Sequence, residues 1–555
     1  MLKEILIENF KAFALKQIIQ LRPITLLFGI NSSGKSSVLQ TLLLLKQTVE
    51  EAESPETVLL TKGKTVDLGS YKEMIYGHDI DRPLRLGFRL DDINFKNYFS
   101  FRKRALKIFS DKEIDDFWIV FEFASERKKN FKLEEIVIGN GEWENPLASF
   151  DSTSFKKREF LRRTRPFVYD KGYESFKGNF LKLKEINSKN IFIEKEWNLF
   201  NKDIPKNIKN LKLVISRLNS YLKRYGSEAL KSNTKSPKRN VSISKKIKEI
   251  QQEIETINCL VKKLEEYSFN VFIKDVKKIN SKALMDILHF LPIGPVYYKS
   301  EKDPSKQFEE SLYFLEEPFF PDFTDITILI SMHLNKIFNK IIYLGPLREY
   351  PERHYIFSGN VLSNVGKSGK FMPDLLFRKR NIVRKVNEWL DRFDIGYILS
   401  AKTVKDRDVE DVFTLRLVDK SNNIGVSPLD VGFGISQILP ILVQGIVAKE
   451  RIIIVEQPEI HLHPKLQAQF GDFLVDCISS KNKNQFIIET HSEHLILRLQ
   501  SLIRKKLLSI YDISVIVLEN SNNGTIAHNL RIDENGDFID EWPGGFFPER
   551  LDELL

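Results

Sequence analysis

The chain has 555 residues, enough for three or four domains of about 150 each and for a large apolar core without covalent staples. Hydrophobic residues make up 42% and charged residues 29%, which excludes collagenous and disordered classes. Two cysteines, Cys259 and Cys477, are too few for a disulfide framework or a zinc module and suit a reducing, cytoplasmic setting. The opening MLKEILIENFKAF alternates charge with apolar residues, unlike a secretory signal, and no apolar run approaches the roughly 18 residues that span a bilayer. A transporter built on this chain alone is excluded, and no membrane contact is expected. The net charge of +10 is mild, so its distribution matters more than its size.

In chain order, strands are predicted at Leu2–Phe10 and Ile24–Phe28, and an apolar helix from Lys35. Between the second strand and the helix lies Gly29-Ile-Asn-Ser-Ser-Gly-Lys35-Ser36-Ser37, which fits the phosphate-binding pattern G-x-x-x-x-G-K-[ST] in the strand–loop–helix context that pattern requires. Gly29 and Gly34 allow a tight turn, so the amides of Asn31, Ser32, Ser33 and Gly34 can face phosphates at a helix N-terminus, with Ser37 just behind. Lys35 is then expected on the β- and γ-phosphates of ATP, and Ser36 on Mg²⁺. Further strands are predicted at Asp116–Phe123 and Phe131–Ile138.

Residues 150–300 are lysine-rich, poor in glycine, and expected to be helical. Apolar or aromatic residues recur at Ile204, Ile208, Leu211, Ile215, Leu218, Leu222 and Tyr225, and again at Ile243, Ile247, Ile250, Ile254, Ile257, Val261 and Leu264, with alternating spacings of four and three. Each set is a coiled-coil seam, and the polar stretch between them, with Pro237, suggests an antiparallel hairpin with arms of about 33 Å. Two amphipathic helices packed on the body are the alternative. Six of the ten residues in Lys156–Arg165 are basic, and eight basic residues fall between Lys223 and Lys246, including Lys235, Lys238 and Arg239 at the expected tip. Such clusters suit a phosphate backbone or an acidic protein partner, and a merely solvated surface is equally compatible.

The C-terminal part, residues 326–555, is read as α/β again. Asp430-Val-Gly-Phe-Gly434-Ile-Ser436-Gln opens an apolar helix and makes a second anion-binding terminus. Arg451-Ile-Ile-Ile-Val-Glu456-Gln457-Pro-Glu459 is an apolar strand ending in a carboxylate, the Walker B arrangement, with Glu456 as the expected Mg²⁺ residue. A further strand, Gln485–Glu489, leads to His491, whose imidazole can report on a γ-phosphate.

This order of motifs resembles the SMC-like and OLD-like ABC ATPases. The resemblance covers residues 1–145 and 326–555, and rests also on Ile7-Glu-Asn-Phe-Lys11-Ala-Phe13, Tyr343-Leu-Gly-Pro-Leu-Arg348, VEQPEIHLHP and the tail Glu541-Trp-Pro-Gly-Gly-Phe-Phe547. The resemblance extends to the ATPase family of Septu anti-phage systems (PtuA), including versions attached to retrons. It implies an α/β fold, an ABC/SMC-like P-loop ATPase head (residues 1–145 and 326–555) with an inserted helical, antiparallel coiled-coil region (146–325). It further implies Lys11 near the nucleotide and a signature loop, Gly434 and Ser436, that completes the site of a second copy. A homodimer or higher even oligomer follows, together with a separate HNH nuclease as partner. An SMC-type DNA-maintenance ATPase and a nucleotide-binding scaffold are the competing functions.

Two departures bear on activity. The family's general-base glutamate directly follows the metal carboxylate, and that position here is Gln457, which implies tight ATP binding with slow hydrolysis. OLD-type nucleases append a Toprim domain, but no glycine directly follows Glu519 and no D-x-D lies between Glu519 and Leu555, so nuclease chemistry is not expected in this chain. The histidines His461, His463, His491 and His494 have no cysteine beside them and are not read as a zinc site.

Overall fold

The computed structural model describes residues 1–54, 57–90, 116–126, 130–152, 179–187, 191–231, 237–280, 283–288, 290–297, 323–359, 363–404, 411–479 and 481–547. The chain divides into two compact units. One comprises residues 1–91, 120–134 and 332–555, the other residues 92–119 and 135–331.

The first unit is organised by a six-stranded sheet in the order Ile341–Leu344, Ile452–Glu456, Gln485–Glu489, Ile24–Phe28, Ile513–Ser521, Gly524–Leu530. The first five strands run parallel, and only the last is antiparallel to its neighbour. Parallel strands covered on both faces read as unbroken apolar runs, and ITLLF, IIIVE and QFIIE do so: all are buried but for Glu456, which is half-buried. Helices Lys35–Glu51, Pro464–Ile478 and Glu493–Arg504 follow strands of this sheet, and Phe433–Val447 precedes the strand Ile452–Glu456; all four contribute to the core. Near the N-terminus, Leu2–Glu8 pairs antiparallel with Gln17–Gln20 and with Leu84–Leu90.

The second unit corrects the expectation that residues 150–300 are helical throughout. Strands Pro146–Ser152, Asn179–Ile186, Ala283–Leu288 and Leu291–Tyr297 continue an antiparallel meander from Asn130–Asn140. In Asn179–Ile186, Leu181 and Leu183 alternate with Lys182 and Lys184, a period of two that the lysine-rich composition conceals.

Between these strands stand two long helices, Ile191–Lys231 and Pro237–Glu265. Lys212 pairs with Glu265, and the Lys246 ammonium lies over the Tyr225 ring, so the two run antiparallel. The seam positions from Ile204 to Tyr225 and from Ile243 to Leu264 are buried or half-buried, while most positions between them are exposed. The arms are longer than the seam alone suggests, about 60 and 44 Å at 1.5 Å per residue. The first helix runs on through Pro205, and the second opens at Pro237, a residue suited to a first helical turn. Of the basic tip, Lys235 lies outside the described residues, while Lys238 and Arg239 lie in the first turn of the second helix. The basic run 156–165 also lies outside the described residues. Among the described residues no helix is long and apolar enough to cross a membrane.

Candidate functional site

The carboxyl ends of the strands Ile452–Glu456, Gln485–Glu489 and Ile24–Phe28 gather the motif residues on one edge of the sheet. Ligands of open α/β sheets bind at that edge, because the strand-to-helix turns present free helix N-termini there. The loop after Phe28 turns through Gly29 (φ 143°) and Gly34 (φ 92°), backbone conformations that L side chains rarely adopt. A Cβ on Gly29 would overlap the carbonyl of Leu518 and the hydroxyl of Ser33. The Ser33 side chain is buried, and its Oγ has no hydrogen-bond partner among the described residues. This orphaned donor inside a glycine cradle fits a phosphate group.

Lys35 is 4% exposed, and its Nζ donates to the carbonyls of Gly29 (2.9 Å) and Ile30 (2.8 Å), folding the ammonium back into the loop. Burial lowers its pKa, and the carboxylates of Glu489 and Glu459 oppose that shift. The Ser36 hydroxyl donates to Glu489 Oε2 at 2.8 Å. Asn31 and Ser32 are exposed on the outer turn, and Ser37 is buried at the helix start. Lys11 has a left-handed backbone (φ 49°), and its N–H donates to the Met74 carbonyl; the next residue, Ala12, packs against Gly34.

Glu456 ends its strand as expected, but its Oε1 accepts a hydrogen bond from the Tyr343 hydroxyl at 2.8 Å. Burial raises both the Glu456 carboxyl and the Tyr343 phenol. Arg348, 4% exposed, donates through Nη2 to the Glu456 carbonyl (2.8 Å), and burial pushes its pKa down to about 10. Gln457 turns in the left-handed region (φ 45°), and its N–H donates to the Glu489 carbonyl at 2.8 Å. Glu459 is occupied on both oxygens, accepting from the Thr490 hydroxyl (2.8 Å) and the His491 N–H (2.7 Å). It therefore holds the loop that carries His491. Burial, with the Lys35 charge, lowers the His491 pKa and favours a neutral ring.

A family model described as AAA ATPase domain matches residues 1–496. The chain belongs to that family. Among curated proteins it is similar to the Endonuclease GajA of Bacillus cereus (strain HuB5-5), 22% identical over 250 residues, or 42% of this chain and 31% of that protein. The match thus spans about a third of the relative's length. Among solved structures, an Smc head domain with an extended coiled coil from Pyrococcus furiosus aligns over 96% of both chains at 9% identity and a TM-score of 0.34. An SMC head domain from Thermotoga maritima gives 7% identity, 96% and 99% coverage, and the same TM-score.

In this AAA ATPase the segment expected to be a signature loop leads into the helix Phe433–Val447, with Gly432 at its N-cap. Gly434 approaches its own chain so closely that a Cβ would overlap the carbonyl of His461, and the Phe433 ring meets the His461 ring edge-on at 4.8 Å. Ser436 is buried, and its hydroxyl is directed at the Pro428 carbonyl (3.4 Å). Gly434→Ala is therefore expected to cost about 1–3 kcal/mol of stability through overpacking, read as a lowered melting temperature of the full chain.

The tail packs on the P-loop strand: Trp542 lies 5.3 Å and Phe547 6.1 Å from the Phe28 ring, both edge-on. Together with Gly29, Asn31, His491 and Glu519 these aromatics line a cavity of about 680 Å³. The sequence alone assigns no role to Glu489, Tyr343 or Arg348. Glu489 did carry a signal, because QFIIE repeats the apolar-strand-then-glutamate pattern of IIIVE.

Proposed function

We propose that this AAA ATPase is a nucleotide-gated subunit that binds ATP tightly, hydrolyses it slowly, and controls a separate effector nuclease in bacterial anti-phage defence of the Septu type. The observation that carries the nucleotide part is the convergence of Lys35, Ser36, Glu456 and Glu489 on one sheet edge, beside a glycine cradle with an orphaned hydroxyl. The donors at that edge are hard oxygens, which suit Mg²⁺; it needs only one or two carboxylates besides the phosphates. Among the described residues no group of three or more His, Cys, Asp or Glu side chains could hold a metal by itself. Mg²⁺ held there by Ser36 and Glu456 would supply positive charge to offset the negative charge of the phosphates.

In this reading Lys35 and the loop amides bind the triphosphate, Ser36 and Glu456 hold the metal, and His491 senses the γ-phosphate. The signature loop, with Gly434 and Ser436, completes the site of a second copy, so ATP joins heads into a homodimer. The hairpin, with the basic residues Lys235, Lys238 and Arg239 that the sequence places in and after its connecting segment, contacts nucleic acid or the partner. Similarity to a protein named an endonuclease supports the link to nuclease biology, and an HNH-type nuclease encoded beside this chain is the expected effector.

Copurification from the native operon with ATP and Mg²⁺ present tests the proposal. The expected result is a stoichiometric complex with a small nuclease. Turnover stimulated by DNA without any such complex would overturn the defence assignment in favour of DNA maintenance.

A further inference from the structure

We propose that Glu489, rather than Glu456 alone, is the carboxylate that works with Ser36 to hold the divalent metal beside the P-loop nucleotide; this rests on the nucleotide-binding reading above.

Glu456 and Glu489 are direct register partners on adjacent parallel strands, so their side chains leave the sheet on the same face and at the same edge. The two differ in what they touch. Glu456 spends Oε1 on the Tyr343 hydroxyl at 2.8 Å, and its carbonyl is held by Arg348, so it is bound from the side of the strand Ile341–Leu344. Glu489 lies one strand nearer the P-loop, paired with Leu27, and receives the Ser36 hydroxyl at 2.8 Å.

That hydrogen bond has the polarity a metal site needs. A serine oxygen can offer its lone pairs to a cation while its proton goes to an anionic acceptor. The carboxylate that takes the proton is then also within reach of the ion. Glu489 is only 5% exposed, and a buried carboxylate requires compensating positive charge.

Equilibrium binding of a fluorescent ATP analogue to the full chain, with and without Mg²⁺, tests the assignment. In the wild-type chain Mg²⁺ is expected to tighten binding. Glu489→Gln should abolish that gain, a loss of about tenfold or more, while metal-free binding stays within about twofold. Glu456→Gln, which removes the other carboxylate at this edge, should reduce the gain by less than Glu489→Gln does. A Glu489→Gln protein that responds to Mg²⁺ as the wild type does would overturn the proposal. Should that variant fail to fold, Glu489→Asp, which keeps the charge and withdraws the carboxylate by one methylene, decides instead: a weakened gain supports the assignment and an undiminished one overturns it. A wild-type chain that binds no analogue under any metal condition overturns the nucleotide reading itself and this assignment with it.

Discussion

Lys35→Ala is expected to weaken ATP binding by about a hundredfold or more, the largest loss available from a single side chain. Each hydrogen bond to a charged group contributes about 1.5–3 kcal/mol, and an ammonium that reaches two phosphates makes at least two. The folded-back position of Lys35 on the carbonyls of Gly29 and Ile30 makes the site poised rather than blocked: the ammonium leaves two neutral acceptors for two anionic ones. Removing it also leaves Glu489 without its cationic neighbour, so that carboxyl should be harder to ionise. Isothermal titration with ATP and Mg²⁺ measures the loss, and an unchanged melting temperature without nucleotide separates it from misfolding. Lys11→Ala provides the contrast. Burial lowers the Lys11 pKa and the charges of Glu73 and Asp67 oppose that shift, so these carboxylates already balance the ammonium and its removal should cost less than about tenfold. Equal losses from the two variants would contradict this account of the cradle.

Legibility in the sequence followed the periodicity of each segment. The strands Ile24–Phe28 and Gln485–Glu489 and the helix start at Lys35 were readable to the residue, because unbroken apolar runs flanked by a glycine turn or a helix signal leave few alternatives. The hairpin was readable because a four-three spacing persists over seven positions in each arm, and the buried stripe falls on those positions. The strands flanking it were not, since a high lysine content outweighed a short period-two pattern such as Leu181 and Leu183. Within the site, the P-loop could be recognised because its residues are contiguous. The partners of Glu456 and Glu489 could not: Tyr343 lies 113 positions from Glu456, and Ser36 lies 453 positions from Glu489. Pairs at such separations are set by strand order, which the motifs alone do not specify.

Gln457→Glu is expected to raise ATP turnover at saturating nucleotide by about tenfold to a hundredfold, within the range a positioned general base contributes. An amide can orient a water but cannot accept its proton. The neighbouring carboxylates do not replace it. Glu456 is engaged by Tyr343, and Glu459 has both oxygens committed to Thr490 and the His491 amide, so using Glu459 as a base would release the loop that positions His491. Glutamate matches glutamine in shape, so the left-handed turn at φ 45° and the N–H bond to the Glu489 carbonyl should survive the exchange. The new carboxylate would follow Glu456 directly in the chain, in a turn whose N–H is bound to the Glu489 carbonyl, so like-charge repulsion is expected to raise its pKa and make it a better base. Turnover of the variant should therefore increase with pH as this group ionises, a dependence the wild-type chain would lack. Steady-state phosphate release across pH measures both effects, with Gln457→Ala as the control that removes the amide without adding a base. A rate that is unchanged or lower in Gln457→Glu would overturn the role assigned to position 457.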